Sequence, residues 1–213
     1  VSLVDSLVKQ LGAAKKLSTC HIRGDARDPW AGLSTRLARR KITQAVCWKR
    51  PLVHHVNLNT DASVSHKRAN GGGLLRDSDG RLIFTYYKEI GEMDALMAKN
   101  SSLLHGLQLC RDLVRGPLLL EVDSKSLASL INAGATFRWP FYNTLRYIRA
   151  LLSSFSATVS HVFREANASA DKLAGLRLSA ELFCTSLHQF PNLVRATTDL
   201  DSQEFSSLRW QCE

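Results

Sequence analysis

The sequence predicts an α/β fold built on a mixed five-stranded sheet. Two observations carry this. Between His54 and Lys88, three short segments alternate apolar with polar residues or concentrate β-branched and aromatic ones, with turn residues between them. From Ala95 onward, four segments repeat apolar residues at helical spacing, and two short apolar strands are interleaved among them.

The elements follow in order. HHVNLNTD (54–61) alternates as a half-buried strand does, and ANGGGLLRD (69–77) is a turn feeding a second strand. Ser78-Asp79-Gly80 is a hairpin-type turn, and RLIFTYYK (81–88) is the third strand of an antiparallel meander. Residues 95–113 place apolar side chains at 96, 97, 103, 104, 107 and 109, a helical pattern. PLLLEV (117–122) is a short buried strand, and 124–133 is a helix capped by Ser124. Residues 139–155 form a helix with Pro140 in its first turn, 157–163 a strand, and 168–187 a last helix. Residues 1–17 have helical spacing, whereas 191–213 have weak periodicity and are expected to be a tail. The three consecutive glycines at 71–73 open a strand rather than a helix, and no Gly-Lys-Ser/Thr follows. They serve the backbone and do not cradle a phosphate.

Composition excludes several classes. With 45% hydrophobic and 22% charged residues in 213, the chain can bury a core without disulfides or metals and is neither disordered nor collagen-like. No run approaches the roughly 18 apolar residues of a membrane span. Of the net charge of +9, residues 1–50 hold +8, so the basic character is concentrated in an N-terminal extension suited to an anionic partner. The five cysteines are scattered and form no CxxC, which fits a reducing compartment, nuclear or cytoplasmic. A first residue of Val1 is expected of a fragment or a processed form.

Three aspartates stand at expected element ends: Asp61 near the end of the first strand, Asp123 after the fourth, and Asp171 near the start of the last helix. Ligands of open α/β sheets gather at the carboxyl ends of strands. If the strands of Asp61 and Asp123 are parallel neighbours, their carboxylates converge. Clustered like charges call for a cation, and magnesium suits oxygen ligands. Two-ion carboxylate sites hydrolyse phosphodiesters.

The wording around these residues resembles a known family. VNLNTDAS (56–63), GGGLLRDSDGRLI (71–83), AKNSSLLHGLQLC (98–110), LLEVDSKSLASLI (119–131) and HVFREANASADKLA (161–174) are similar to the type 1 ribonuclease H domain. The form they match is the one found in plant proteins derived from non-LTR retroelements. VCWKRP (46–51) and QFPNLVRATTDLD (189–201) look like that domain's flanks. The resemblance implies a three-layer ribonuclease H-like fold. It also implies cleavage of RNA in RNA–DNA hybrids with magnesium or manganese. It assigns metal-ligand and catalytic roles to Asp61, Asp123 and Asp171, and a role in proton transfer or product release to His161.

The fourth acidic ligand is missing. Aligning on Gly106-Leu107 puts Lys99 where the family has a glutamate. A charged lysine cannot ligate a metal, and its ammonium can pair with Asp61 or Asp123 instead. Asp94, five residues earlier, is more than a helical turn away, and Asp94-Ala95-Leu96 lacks the Thr-Asn residues the family places near the hybrid backbone. Ala62 stands where glycine is usual.

Arg164 and Glu165 are expected to fix the loop before Asp171. Trp139 is expected to be core. Lys67 and Arg68 in the first hairpin, and Arg138, are within reach of phosphates or of water. Taken together, residues 1–51 are a basic extension, 52–187 a ribonuclease H-like domain and 188–213 a tail. The expected partner is nucleic acid (an RNA–DNA hybrid or RNA) and not a membrane. Magnesium or manganese is expected if the domain cuts. The alternative is a domain that binds nucleic acid or a protein without cutting.

Overall fold

The structure, a computed structural model, describes residues 41–133 and 141–212. The N-terminal helix, the basic run Arg36, Arg39 and Arg40, and the residues Arg138, Trp139 and Pro140 lie outside the described residues.

In chain order the elements are β1 (Lys41–Val46), β2 (Val56–Ser65), β3 (Arg68–Arg76), β4 (Leu82–Glu92), α1 (Ala95–Cys110), β5 (Leu118–Val122), α2 (Lys125–Asn132), α3 (Phe141–Ser154) and β6 (Thr158–His161). A 3-10 turn (Arg164–Asn167) then leads into α4 (Ala168–Ala174), followed by β7 (Leu182–Cys184), α5 (Asn192–Ser202) and β8 (Ser207–Cys212). A compact unit spans Val46–Ser207. Separately, β1 and β8 form a two-stranded ribbon.

The main sheet has the order β6-β5-β2-β3-β4-β7. The meander β2-β3-β4 is antiparallel, while β5 runs parallel to β2, and β6 runs parallel to β5. The sheet is mixed, as expected, with six strands rather than five. The extra strand is β7, antiparallel to the edge of β4 through Thr85 and Cys184. It lies in residues expected to continue the last helix. That helix stops after Ala174, and the Gly175 N–H bonds back to the Asp171 carbonyl. The following apolar residues, Leu182 and Phe183, then find a free strand edge, which outweighs a weak helical periodicity.

Both faces of the sheet are covered. On one, Leu58, Phe84, Tyr86 and Leu120 pack with Leu103 and Leu107 of α1, Leu127 of α2, and Leu145 and Ile148 of α3. On the other, Leu74 and Tyr87 pack with Leu173 of α4, Cys184, Phe190 and Val194 of α5. Each large side chain buried this way contributes about 1.5–3 kcal/mol of transfer free energy. The expected tail therefore carries α5, whose Val194, Thr198 and Asp201 are buried. Its apolar spacing is sparse because part of its buried face is polar and answers a buried arginine, as described below.

Glycines 71 and 72 mark where the layers come closest. A Cβ on Gly71 would lie 2.7 Å from Ser102 Oγ of α1, and one on Gly72 would lie 2.4 Å from the Ala174 backbone of α4. Neither has a positive φ. They provide room for a helix on each side of β3 rather than an unusual backbone angle.

Candidate functional site

The site begins where β5 ends and its pairing with β2 stops. Asp61, expected near the end of its strand, lies inside β2, which runs on to Ser65 in its pairing with β3. Thr60 and Val122 are register partners in the parallel pair, so Asp61 and Asp123 follow at the same carboxyl edge. The convergence expected of parallel neighbours is present. Helix α1 approaches this edge from one face. Asp94 caps it, accepting from the Leu96 and Met97 N–H groups at 2.9 Å each. Its carboxylate is engaged as a cap. Ser102 Oγ donates to the Asp61 carbonyl at 2.8 Å, and Tyr86 OH donates to the Ser102 carbonyl at 2.8 Å. These bonds fix α1 against β2 and β4.

Lys99, in the second turn of that helix, points between the two aspartates. Its Nζ lies 2.8 Å from Asp61 Oδ1 and also donates to Asp123 Oδ1. The Ala62 N–H donates to Asp61 Oδ1 at 2.7 Å. The Asp61 side chain is 4% exposed. Burial, together with the neighbouring Asp123 charge, outweighs Lys99 and lifts the Asp61 carboxyl to about 6. Burial pulls the Lys99 ammonium down, but the Asp61 charge and hydrogen bonds to both aspartates outweigh it, so its pKa is raised. Lys99 is therefore a permanent cation at neutral pH.

Asp171 sits in the first turn of α4. Arg164, from the preceding 3-10 turn, grips its Oδ1 through Nε at 3.1 Å and Nη2 at 2.5 Å. Arg164, expected to fix the loop before Asp171, thus pairs with Asp171 itself. Arg164 is largely exposed, so water screens the pair. His161 ends β6 beside Val122. Its Nε2 is 3.2 Å from the Asp123 carbonyl, and its ring meets Phe163 edge-on. Asp61 and Asp123 are thus brought together through Lys99, Asp171 is paired with Arg164, and His161 leans on the backbone beside Asp123.

The donor set does not fit a divalent ion. Magnesium takes oxygen ligands and dehydrates reluctantly. Here Oδ1 of each paired aspartate already accepts from an ammonium, and the residue closing the pair offers no lone pair. Among the described residues, no group of three or more His, Cys, Asp or Glu side chains is disposed to hold a metal.

Behind the carboxylates lies a network that sequence reasoning missed. Arg76 is fully buried, with its guanidinium 3.5 Å above the Trp48 ring. It donates to Asn59 Oδ1 at 2.6 Å and to Asp201 Oδ2 of α5 at 3.5 Å. Asn59 Nδ2 donates to Glu121 Oε2 and Asn167 Oδ1, and Asn167 Nδ2 donates to the Thr60 carbonyl. Burial pushes Arg76 down to about 10 against the pull of Asp201 and Glu121, so it remains charged. The network joins β2, β5, the turn before α4, and α5. The available signal was polar residues at alternate positions of β2, Asn57 and Asn59, on the same side as Asp61.

Fold and site together define a ribonuclease H-like domain. The profile of the family described as reverse transcriptase-like matches residues 59–176, more than half of the chain, and the chain belongs to that family. An Arabidopsis thaliana protein named "Putative ribonuclease H protein At1g65750" is 27% identical over 159 residues. The match covers 73% of this chain and 26% of that protein, so the chain spans about a quarter of that relative's length.

Solved structures agree in fold. Ribonuclease H1 of Halobacterium salinarum NRC-1 matches with a TM-score of 0.53 and 23% identity, over 57% of this chain and 95% of that one. The N-terminal ribonuclease H domain of Mycobacterium tuberculosis rv2228c gives 0.53 and 21%, over 57% and 91%. LC11-RNase H1, solved with an RNA/DNA hybrid, gives 0.51 and 20%, over 55% and 92%. No helix among the described residues is long and apolar enough to cross a membrane.

Proposed function

We propose that this domain binds nucleic acid, an RNA–DNA hybrid or RNA, and cuts it weakly or not at all. The observation that carries this reading is the position of Lys99 Nζ between Asp61 and Asp123. In the family resemblance those aspartates, with Asp171, would hold magnesium or manganese and His161 would assist the reaction. An active hydrolytic site needs its ions placed for in-line attack. Here an internal cation stands against the same oxygens.

Support for the nucleic-acid partner comes from family membership and from the hybrid bound in the LC11-RNase H1 structure. The basic N-terminal extension adds sequence-independent attraction to phosphates.

The test incubates a labelled RNA–DNA hybrid with magnesium or manganese and with the wild-type, Lys99→Glu or Asp123→Asn protein. Wild type is expected to bind without appreciable cleavage. Lys99→Glu is expected to cut at least about tenfold faster, a barrier change above about 1.4 kcal/mol. Wild-type cleavage that Asp123→Asn abolishes and Lys99→Glu does not improve would overturn the reading.

A further inference from the structure

Beyond the carboxylate edge, the same face of the sheet carries a second polar cleft. It has a volume of about 360 Å3 and is lined by Ser65, His66, Arg68, Asn70, Arg177 and Ser179. We propose that this cleft holds a backbone phosphate of a bound nucleic-acid strand, at a distance from the carboxylates. The inference rests on the nucleic-acid reading above and identifies a phosphate site that reading does not include.

The cleft is assembled from two elements. The first is the β2–β3 hairpin, in which Ser65 and Arg68 are register partners and His66 and Lys67 form the two-residue turn. Both turn residues have positive φ, at 49° and 66°. Two-residue hairpins favour Asn and Gly there, because L side chains meet a steric cost in that region. This turn instead carries an imidazole and an ammonium.

The second element is the segment after α4. The Asn70 Nδ2 donates to the Leu176 carbonyl at 3.4 Å, tying that segment to β3. The Arg177 Nη2 donates to Ser65 Oγ at 3.0 Å, aiming the guanidinium at the hairpin, and Ser65 Oγ meets His66 Nδ1 at 3.0 Å.

The resulting chemistry suits an oxyanion. Two guanidiniums provide forked donors that match phosphate geometry. The Ser65 and Ser179 hydroxyls and the Asn70 amide add neutral donors. One carboxylate opposes them: Glu89 lines the same cleft, 3.8 Å from Arg68, and both are exposed. Lys67 adds charge from the turn. The floor is Tyr87, buried against Leu173.

Position ties the cleft to the carboxylates. Successive strand residues alternate faces, so Asp61, Ser63 and Ser65 share one. Four residues of strand span about 13 Å. A nucleic-acid strand advances about 3.4 Å along its axis per nucleotide, so a strand lying over Asp61 reaches the cleft about four nucleotides away. Because Arg177 follows α4, the helix bearing Asp171, the cleft and the third carboxylate are carried on one stretch of chain.

The test measures affinity of the full chain for a labelled RNA–DNA hybrid across a salt series, with inorganic phosphate as competitor at constant ionic strength. The variants are Arg68→Ala/Arg177→Ala, Glu89→Gln, and, as a charge-loss control, Arg81→Ala at the opposite hairpin. The double variant is expected to bind about tenfold more weakly, with a salt slope shallower by about one for each phosphate it no longer neutralises. Glu89→Gln is expected to bind more tightly than wild type, and Arg81→Ala as wild type. Competition by phosphate against wild type is expected to weaken in the double variant.

Wild-type affinity and slope in the double variant, with hybrid binding intact, would overturn the cleft and leave the nucleic-acid reading standing. The same holds if phosphate competes but the double variant keeps its affinity for the hybrid. No binding of hybrid or RNA by wild type would overturn both.

Discussion

Lys99 Nζ lies 2.8 Å from Asp61 Oδ1 while donating to Asp123 Oδ1, so a single ammonium joins two parallel neighbouring strands, at Asp61 within β2 and at Asp123 just past β5. The pair would otherwise be two like charges at the edge of a low-dielectric core, where repulsion is weakly screened. The Lys99 ammonium offsets that repulsion from within the chain.

Divalent ions should therefore leave the stability of the wild-type protein unchanged. Thermal unfolding in magnesium or manganese is expected to match that in chelator. Lys99→Glu adds a third carboxylate there and should melt lower in chelator and recover with metal. An ion at a hundred times its Kd would restore about 2.7 kcal/mol. A wild-type midpoint that climbs with magnesium would contradict the built-in cation.

Lys99→Met should destabilise the fold by leaving Asp61 and Asp123 unpaired. The loss is expected below the roughly 3–5 kcal/mol of fully buried pairs, because about a fifth of the lysine side chain remains in water. Urea unfolding measures it. Adding Asp123→Asn should recover part of the loss, and a double variant no more stable than Lys99→Met would deny the coupling.

Stability should fall as pH rises from about 4 to about 6, through Asp61. Its carboxyl titrates near 6 in the fold and at 3.8 as a free side chain. Between those values the folded state holds the proton more tightly than the unfolded chain. The stabilisation is complete below the lower value and is lost as pH passes the upper one. Asp61→Asn should remove this slope. Chemical denaturation of both proteins at several pH values tests it, and parallel stability curves would rule it out.

Arg76→Met should cost about 3–5 kcal/mol, since it leaves the buried carboxylates of Asp201 and Glu121 without their cation. The same network predicts that a chain ending at residue 187 loses cooperative unfolding, because Asp201 and the apolar Phe190 and Val194 leave with α5. A truncated protein with a wild-type melt would show α5 to be dispensable.

Gly72→Ala should be costly for its size. Its Cβ would fall 2.4 Å from the Ala174 nitrogen and 2.6 Å from Leu173 Cβ, so α4 must shift, at about 1–3 kcal/mol for overpacking. Because Asp171 rides on α4, the variant's loss should be accompanied by changed amide shifts around Asp171. A neutral substitution would mean that the helix is not seated on β3 as described.

Much of this protein was legible along the chain. The order of strands and helices from β2 to α4 follows from periodicity and turn residues, which are local properties, whereas β1 falls in residues expected to be only a basic extension. The convergence of Asp61 and Asp123 and the start of α4 near Asp171 are expected from short motifs, although Asp61 falls inside β2 rather than at its end. What the chain alone left open depends on contacts between distant residues. Lys99 and Asp123 are 24 residues apart, and Arg76 and Asp201 are 125 apart. Periodicity in residues 191–202 is weak because Asp201, on the buried face of α5, answers an arginine on β3 rather than packing as an apolar residue. Strand β7 exists because β4 offers an open edge, and no local pattern announces that. Only the folded chain decides which cation meets which carboxylate, since those partners come from different layers and burial makes their pairing obligatory.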